Sequence, residues 1–146
     1  MTLVAAAIGI VSFALGLLHA YWGFGGVWPG TDAKSCALAV VGFKGVSRMP
    51  PPTSAFGVTL ALFIVAWIAL SLGGLALEPW APVPLPVLGL FAAAVFLGRG
   101  IAGYTPAWRR LAPELPFARN DVRYFSPLCL LIGSGLLALS LKGLAA

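Results

Sequence analysis

Four apolar stretches dominate this 146-residue chain, at about 3–22, 54–77, 85–104 and 124–141. Each approaches the roughly 20 residues that a helix rising about 1.5 Å per residue needs to cross about 30 Å of hydrocarbon. Such a pattern predicts an all-α membrane protein, a bundle of four transmembrane helices forming a single membrane domain over 1–146. Composition agrees: 60% of the residues are hydrophobic and only 9% charged, and the mean hydropathy is +1.00. Both values lie far from those of soluble domains. One bundle uses nearly all of the chain, which leaves no room for a soluble catalytic module, so any function must reside in the helices and their loops.

The boundaries carry their own punctuation. Pro50, Pro51 and Pro52 cannot continue a helix, and Thr53 and Ser54 are suitable N-cap residues for the second span. Glu78 to Pro86 forms a proline-rich turn with an interfacial Trp80, which predicts antiparallel neighbours on either side of it. The first span has no Lys or Arg ahead of it and no small-residue cleavage site after Trp22, so it is expected to be a retained helix rather than a secretory signal. Asp32 to Val41 is too apolar for a solvated loop and is expected to form a short element capped by Thr31 or Asp32.

Orientation follows from the basic residues. Lys34, Lys44 and Arg48 lie in the first loop and Arg109, Arg110, Arg119 and Arg123 in the third, against Lys142 alone on the other side. With four spans the first and third loops share a side. The positive-inside rule makes that side cytoplasmic, so both termini are expected to face the periplasm or exterior. The net charge of +5 is spread along the chain and makes no stripe that could follow a phosphate backbone, so nucleic acid is not expected as a partner. The expected partners are the lipid bilayer, with another membrane protein or further copies of the chain as candidates. Small residues at four-residue spacing mark candidate seams: Ser12, Gly16 and Ala20, then Ala94, Gly98 and Ala102, then Cys129 with Gly133 and Ser134 with Ala138.

Ionisable groups within membrane spans are expensive and therefore informative. Two occur here: His19, near the end of the first span, and Arg99, three quarters of the way along the third. The topology puts both at the same end of the bundle, where the third loop returns to the membrane. One polar pocket is expected there, with His19, Trp22, Arg99, Tyr104, Asp121, Arg123, Tyr124 and Ser126 as candidate ligand-binding residues. Each has a plainer alternative: Arg99 pairing with Asp121 or snorkelling to headgroups, and His19 sitting in an aromatic belt with Tyr21, Trp22, Phe24 and Trp28. The functional alternatives are a guanidinium binding an anionic or carbonyl group and a histidine that moves a proton or ligates a metal or haem. A single histidine and two cysteines far apart, Cys36 and Cys129, argue against a protein-built metal cage or bis-histidine haem, so no metal and no cofactor are expected. The chain lacks a Ser-His-Asp spacing, a Gly-rich phosphate loop and paired intramembrane carboxylates.

Two segments carry a resemblance: His19-Ala20-Tyr21-Trp22-Gly23-Phe24-Gly25-Gly26 at the end of the first span, and Asp121-Val122-Arg123-Tyr124-Phe125-Ser126-Pro127-Leu128-Cys129-Leu130 at the start of the fourth. Together with Arg99 they resemble a family of small prokaryotic four-helix membrane proteins catalogued as a domain of unknown function, family 3995. The resemblance implies the fold and the membrane, and it draws attention to Pro127 and Cys129 beside the candidates above. It implies no activity. The sequence therefore leaves two readings, a noncatalytic accessory or scaffold subunit, and a binding protein or enzyme for a membrane-soluble small molecule. A channel or transporter is the weakest, because four helices with few polar groups need an oligomer to enclose a pathway.

Overall fold

The computed structural model describes residues 1–77 and 83–145. Its elements are α1 (Thr2–Gly23), α2 (Ala33–Val40), α3 (Pro52–Leu72), α4 (Leu85–Ala102), α5 (Pro106–Leu111), α6 (Phe117–Asn120), a π-helical turn (Asp121–Phe125) and α7 (Ser126–Leu144). Among the described residues the chain is all-α, and four helices are long and apolar enough to cross a membrane: α1, α3, α4 and the continuous run Phe117–Leu144. Only 28 to 39% of each span is buried inside the molecule, and large apolar side chains such as Ile10, Leu60, Phe91 and Leu131 point outward. That outward apolar surface makes this an integral membrane protein.

Several boundaries differ from the sequence expectation. α3 begins at Pro52, with Pro51 as N-cap and no side-chain cap, so Thr53 and Ser54 lie inside the first turn. Proline suits that position because the first amides of a helix have no intrahelical acceptor to lose. α3 also ends five residues earlier than its apolar run, at Leu72. Gly74 takes φ +72°, the Gly74 amide donates to Ser71 O at 3.0 Å and the Leu75 amide to Leu70 O at 2.8 Å, a Schellman stop that only a residue tolerant of positive φ supplies cheaply. The turn 78–82, with Trp80, lies outside the described residues. α2 forms as expected, and Asp32 is its cap: its carboxylate accepts from the Ser35 amide at 2.7 Å while the Ser35 hydroxyl accepts from the Asp32 amide at 3.1 Å.

The bundle is assembled from two closely packed antiparallel pairs, α1 with α3 and α4 with α7. In the first pair Gly9, Gly16 and Gly23 recur every seven residues, and Leu70, Phe63 and Phe56 do the same in reverse on α3. A Cβ at Gly9 would stand 2.7 Å from Leu70, at Gly16 2.5 Å from Phe63, and at Gly23 2.8 Å from Phe56. A seven-residue repeat keeps one seam in register along two wrapping helices, and missing side chains let the knobs seat on backbone. The glycine seam thus runs through Gly16, as expected, but at a spacing of seven rather than four. On α4 the expected stripe of Ala94, Gly98 and Ala102 faces away: Ala94 and Gly98 are exposed, and the packed face instead presents Gly89, Ala92, Ala93 and Gly100. On α7 the Gly133 position meets Leu97 of α4, whereas Ser134 and Ala138 are exposed. Ala5, Ile8, Val65, Ala69, Ala92, Ala93, Ile132, Leu136 and Leu139 from the four helices meet at the centre.

The first and third loops clasp one another at one end of the bundle. The Lys44 amide donates to Leu111 O at 3.0 Å, the Glu114 amide to Gly42 O at 3.1 Å, and the Gly45 amide to Glu114 Oε1 at 2.9 Å. Seven basic residues therefore gather at that end, as the topology requires.

The seam makes a direct prediction. Gly16→Val should destabilise the bundle by about 1–3 kcal/mol through overpacking against Phe63, whereas Gly98→Ala, with open space around it, should leave stability unchanged or raised. Denaturation of both variants in the same detergent, against the wild type, measures the difference.

Candidate functional site

The polar centre of the molecule is Asp121, a carboxylate with 0% exposure. It opens the π-helical turn in the long helix that ends in α7, and two other helices, α4 and α5, converge on it together with Ser126 of its own helix. Arg99, in the last turn of α4, places Nη2 2.6 Å from Oδ1. Trp108 of α5 donates from its indole to Oδ2 at 2.8 Å. Arg109, its neighbour, donates from Nη2 to the same oxygen. Ser126 donates its hydroxyl to Oδ1 at 3.2 Å. Further contacts tie the donors to one another: Arg99 Nη1 reaches Ser126 Oγ at 3.4 Å, the Arg99 guanidinium stacks 4.6 Å over the Trp108 ring, and Arg109 Nη1 caps Ala118 O at 2.6 Å.

Local sequence explains why these groups meet. Gly100 and Gly103 present bare backbone to α7: a Cβ at Gly100 would stand 3.0 Å from Ser126 O, and one at Gly103 2.9 Å from Ser126 Cβ. The chain then turns at once into α5, where the Thr105 hydroxyl accepts from the Trp108 amide at 3.3 Å and Pro106 occupies the first turn. On the other side, Pro127 sits in an otherwise continuous helix. An α-helical register would press its ring against the carbonyl of Arg123, four residues back, and the extra residue of the π turn relieves that contact. In the π register the Ser126 amide donates to Asp121 O, five residues back. The next carbonyl, Val122 O, faces Pro127, whose nitrogen has no hydrogen. The Tyr104 hydroxyl fills that vacancy, donating to Val122 O at 3.2 Å.

The remaining candidates are distributed around this cluster rather than gathered into it. Tyr104 is thus a cap on the π turn. Arg123 and Tyr124 are exposed and stack on one another, with 5.3 Å between guanidinium and ring. His19 and Trp22 lie elsewhere at the same end of the bundle. Their rings meet edge to face at 4.9 Å, His19 Nδ1 lies 2.8 Å from Leu15 O, and Trp22 donates to Trp28 O at 2.7 Å. They line a cavity with residues of α2, α3 and the first loop, with no lining residue from α4 or α7. The single pocket expected from the sequence is therefore two places: a closed ionic cluster at Asp121 and a separate apolar cavity at His19.

The family described as protein of unknown function (DUF3995) matches residues 12–136. The chain belongs to this family. The matched stretch runs from Ser12 in α1 to Leu136 in α7, so it takes in parts of all four spans, the loop clasp and every member of the Asp121 cluster. No curated protein and no solved structure matches the chain.

Two members of the cluster in this family match, Trp108 and Arg109, were absent from the sequence candidates. Arg109 enters the sequence reading only as a topogenic loop charge, and Trp108 is not singled out there at all. The available signal was scarcity: the chain has nine basic residues but four acidic ones, so a carboxylate entering a span is placed to draw more than one arginine.

Removing the carboxylate strands two guanidinium groups. Asp121→Ala should cost about 3–5 kcal/mol, the penalty for an uncompensated buried charge, whereas the combined replacement Arg99→Met, Asp121→Leu, Arg109→Met should cost less than the single change. Unfolding in mixed detergent micelles ranks the two. For the π turn, Tyr104→Phe should lose about 1 kcal/mol as Val122 O loses its donor, with Gly98→Ala on the outer face of α4 as a neutral comparison.

Proposed function

We propose that this protein is a noncatalytic accessory or scaffold subunit of a prokaryotic cytoplasmic membrane, oriented with both termini periplasmic or exterior. The observation that carries the reading is the closure of the Asp121 cluster. Both carboxylate oxygens are occupied, by Arg99 and Ser126 on one side and by Trp108 and Arg109 on the other. A carboxylate so engaged holds helices together and has no lone pair directed at a substrate. The gathering of seven basic residues at the clasped loop end supports the orientation. Open faces support the accessory role: Ala94 and Gly98 on α4, flanked by Phe91 and Val95, offer an approachable surface to a further helix.

A second reading, a binding protein for a membrane-soluble small molecule at the loop end of the bundle, draws on a separate observation, the cavity beside His19.

Purification from native membranes in mild detergent, with mass spectrometry of everything that co-elutes, separates the two. The accessory reading expects a second polypeptide in stoichiometric amount with the wild type. Recovery of the chain alone, with a small molecule held by the wild type and lost from folded His19→Ala, would overturn it.

A further inference from the structure

The cavity beside His19 has the volume and the polar group of a site for one small ring. It is an open-sided cleft of about 170 Å³ lined by His19 and Trp22 of α1, Val40 and Val41 at the end of α2, Met49 and Pro50 of the first loop, and Ser54, Ala55 and Val58 of α3. Valine, alanine, proline and methionine make most of that wall apolar. A dry apolar cavity of about 150 Å³ accommodates one benzene, so this space matches a single six-membered ring bearing one small substituent.

The histidine decides what the substituent is. Leu15 O lies 2.8 Å from Nδ1 of His19, and a carbonyl oxygen only accepts, so the proton of the neutral ring sits on Nδ1. The neutral ring then presents Nε2 as a lone pair, and among the described residues Nε2 has no hydrogen-bond partner. An acceptor in an apolar cavity calls for a ligand that donates. The wall is held in place independently of any ligand. Trp22 is anchored through its indole to Trp28 O and meets the His19 ring edge to face, while the α2 segment that supplies Val40 and Val41 is fixed by its capping box at Asp32.

We propose that this cavity binds a phenolic ring, whose hydroxyl donates to Nε2 of His19 and whose body fills the space between α1, α2 and α3. The proposal rests on the small-molecule reading and names its ligand class; it does not involve the Asp121 cluster. The phenol is either free in solution or the head of a membrane-soluble molecule, since the cavity lies at the end of the spans.

His19 is the sole histidine of the chain, so isotope labelling of histidine gives one imidazole signal for nitrogen NMR of the full chain in lipid nanodiscs. The unliganded protein should show the Nδ1-protonated tautomer. Added phenol should move the Nε2 resonance saturably toward the protonated value, and toluene, of the same shape but without a donor, should not. Ala55→Leu, which fills the cavity from α3, should abolish the phenol response while the tautomer signature of folded His19 persists. Para-octylphenol saturating at a lower amount per lipid than phenol would assign the source to membrane-soluble phenols; saturation at the same amount would assign it to free phenols. An equal response to toluene, a response unchanged in Ala55→Leu, or the opposite tautomer in the free protein would overturn the proposal. None of these outcomes depends on what co-purifies from native membranes, so failure of the phenol site and failure of the small-molecule reading are separately visible.

Discussion

A carboxylate cannot be held at 0% exposure beside a membrane span without full compensation, and the architecture at one end of this bundle follows from compensating Asp121. Two guanidinium groups, an indole and a hydroxyl must reach it from α4, α5 and the head of α7. Ser126 approaches because Gly100 and Gly103 leave the backbone of α4 bare. Arg109 and Trp108 are delivered by the immediate turn from α4 into α5. Phe43 of the first loop then meets Trp108 edge to face at 6.2 Å, so the clasp between loops is built on a residue already committed to the carboxylate. Replacement by apolar residues of similar volume is often no less stable than a buried ion network, so the cluster sets which helices meet and in what register more than it adds net stability.

The π-helical turn belongs to the same arrangement. Pro127 removes an amide and presses on the preceding turn, and one extra residue absorbs the conflict. The orphan carbonyl is returned to a hydrogen bond by Tyr104, from the end of the neighbouring helix. Helix break, cap and ion cluster thus occupy one short stretch of chain, where hydrocarbon offers no water to satisfy a polar group left over.

Away from that end, packing alone carries the fold. Lipid tails are as apolar as leucine, so burying an apolar face gains little over leaving it in lipid, and close backbone approach decides which faces meet. Gly9, Gly16 and Gly23 against Leu70, Phe63 and Phe56 supply that approach for α1 and α3. The two polar places at the loop end differ in kind for a related reason. Around Asp121 two guanidinium groups, an indole and a hydroxyl converge on both carboxylate oxygens, so the carboxylate is closed off. Around His19 the ring satisfies only one of its nitrogens on its own helix, and apolar walls stand off from the other.

The four spans, the shared side of the basic loops and the capped α2 were legible in the sequence, because length in hydrocarbon, charge asymmetry and a Ser/Asp capping pattern are local properties of the chain. The pairing of Arg99 with Asp121 was legible as an alternative, since few other partners exist for either in a span. What the sequence left open was decided by rotation and distance. Ala94, Gly98 and Ala102 share a helix face, but only packing chose the opposite face of α4 for α7. His19 and Arg99 lie at one end, but only the arrangement of helices put them in different neighbourhoods. The end of α3 at Leu72 depended on Gly74 taking a left-handed conformation, and the true extent of the fourth helix on a π turn that carries it past Pro127. Periodicity along one helix records which residues share a face; which face is buried is a property of the neighbours it packs against.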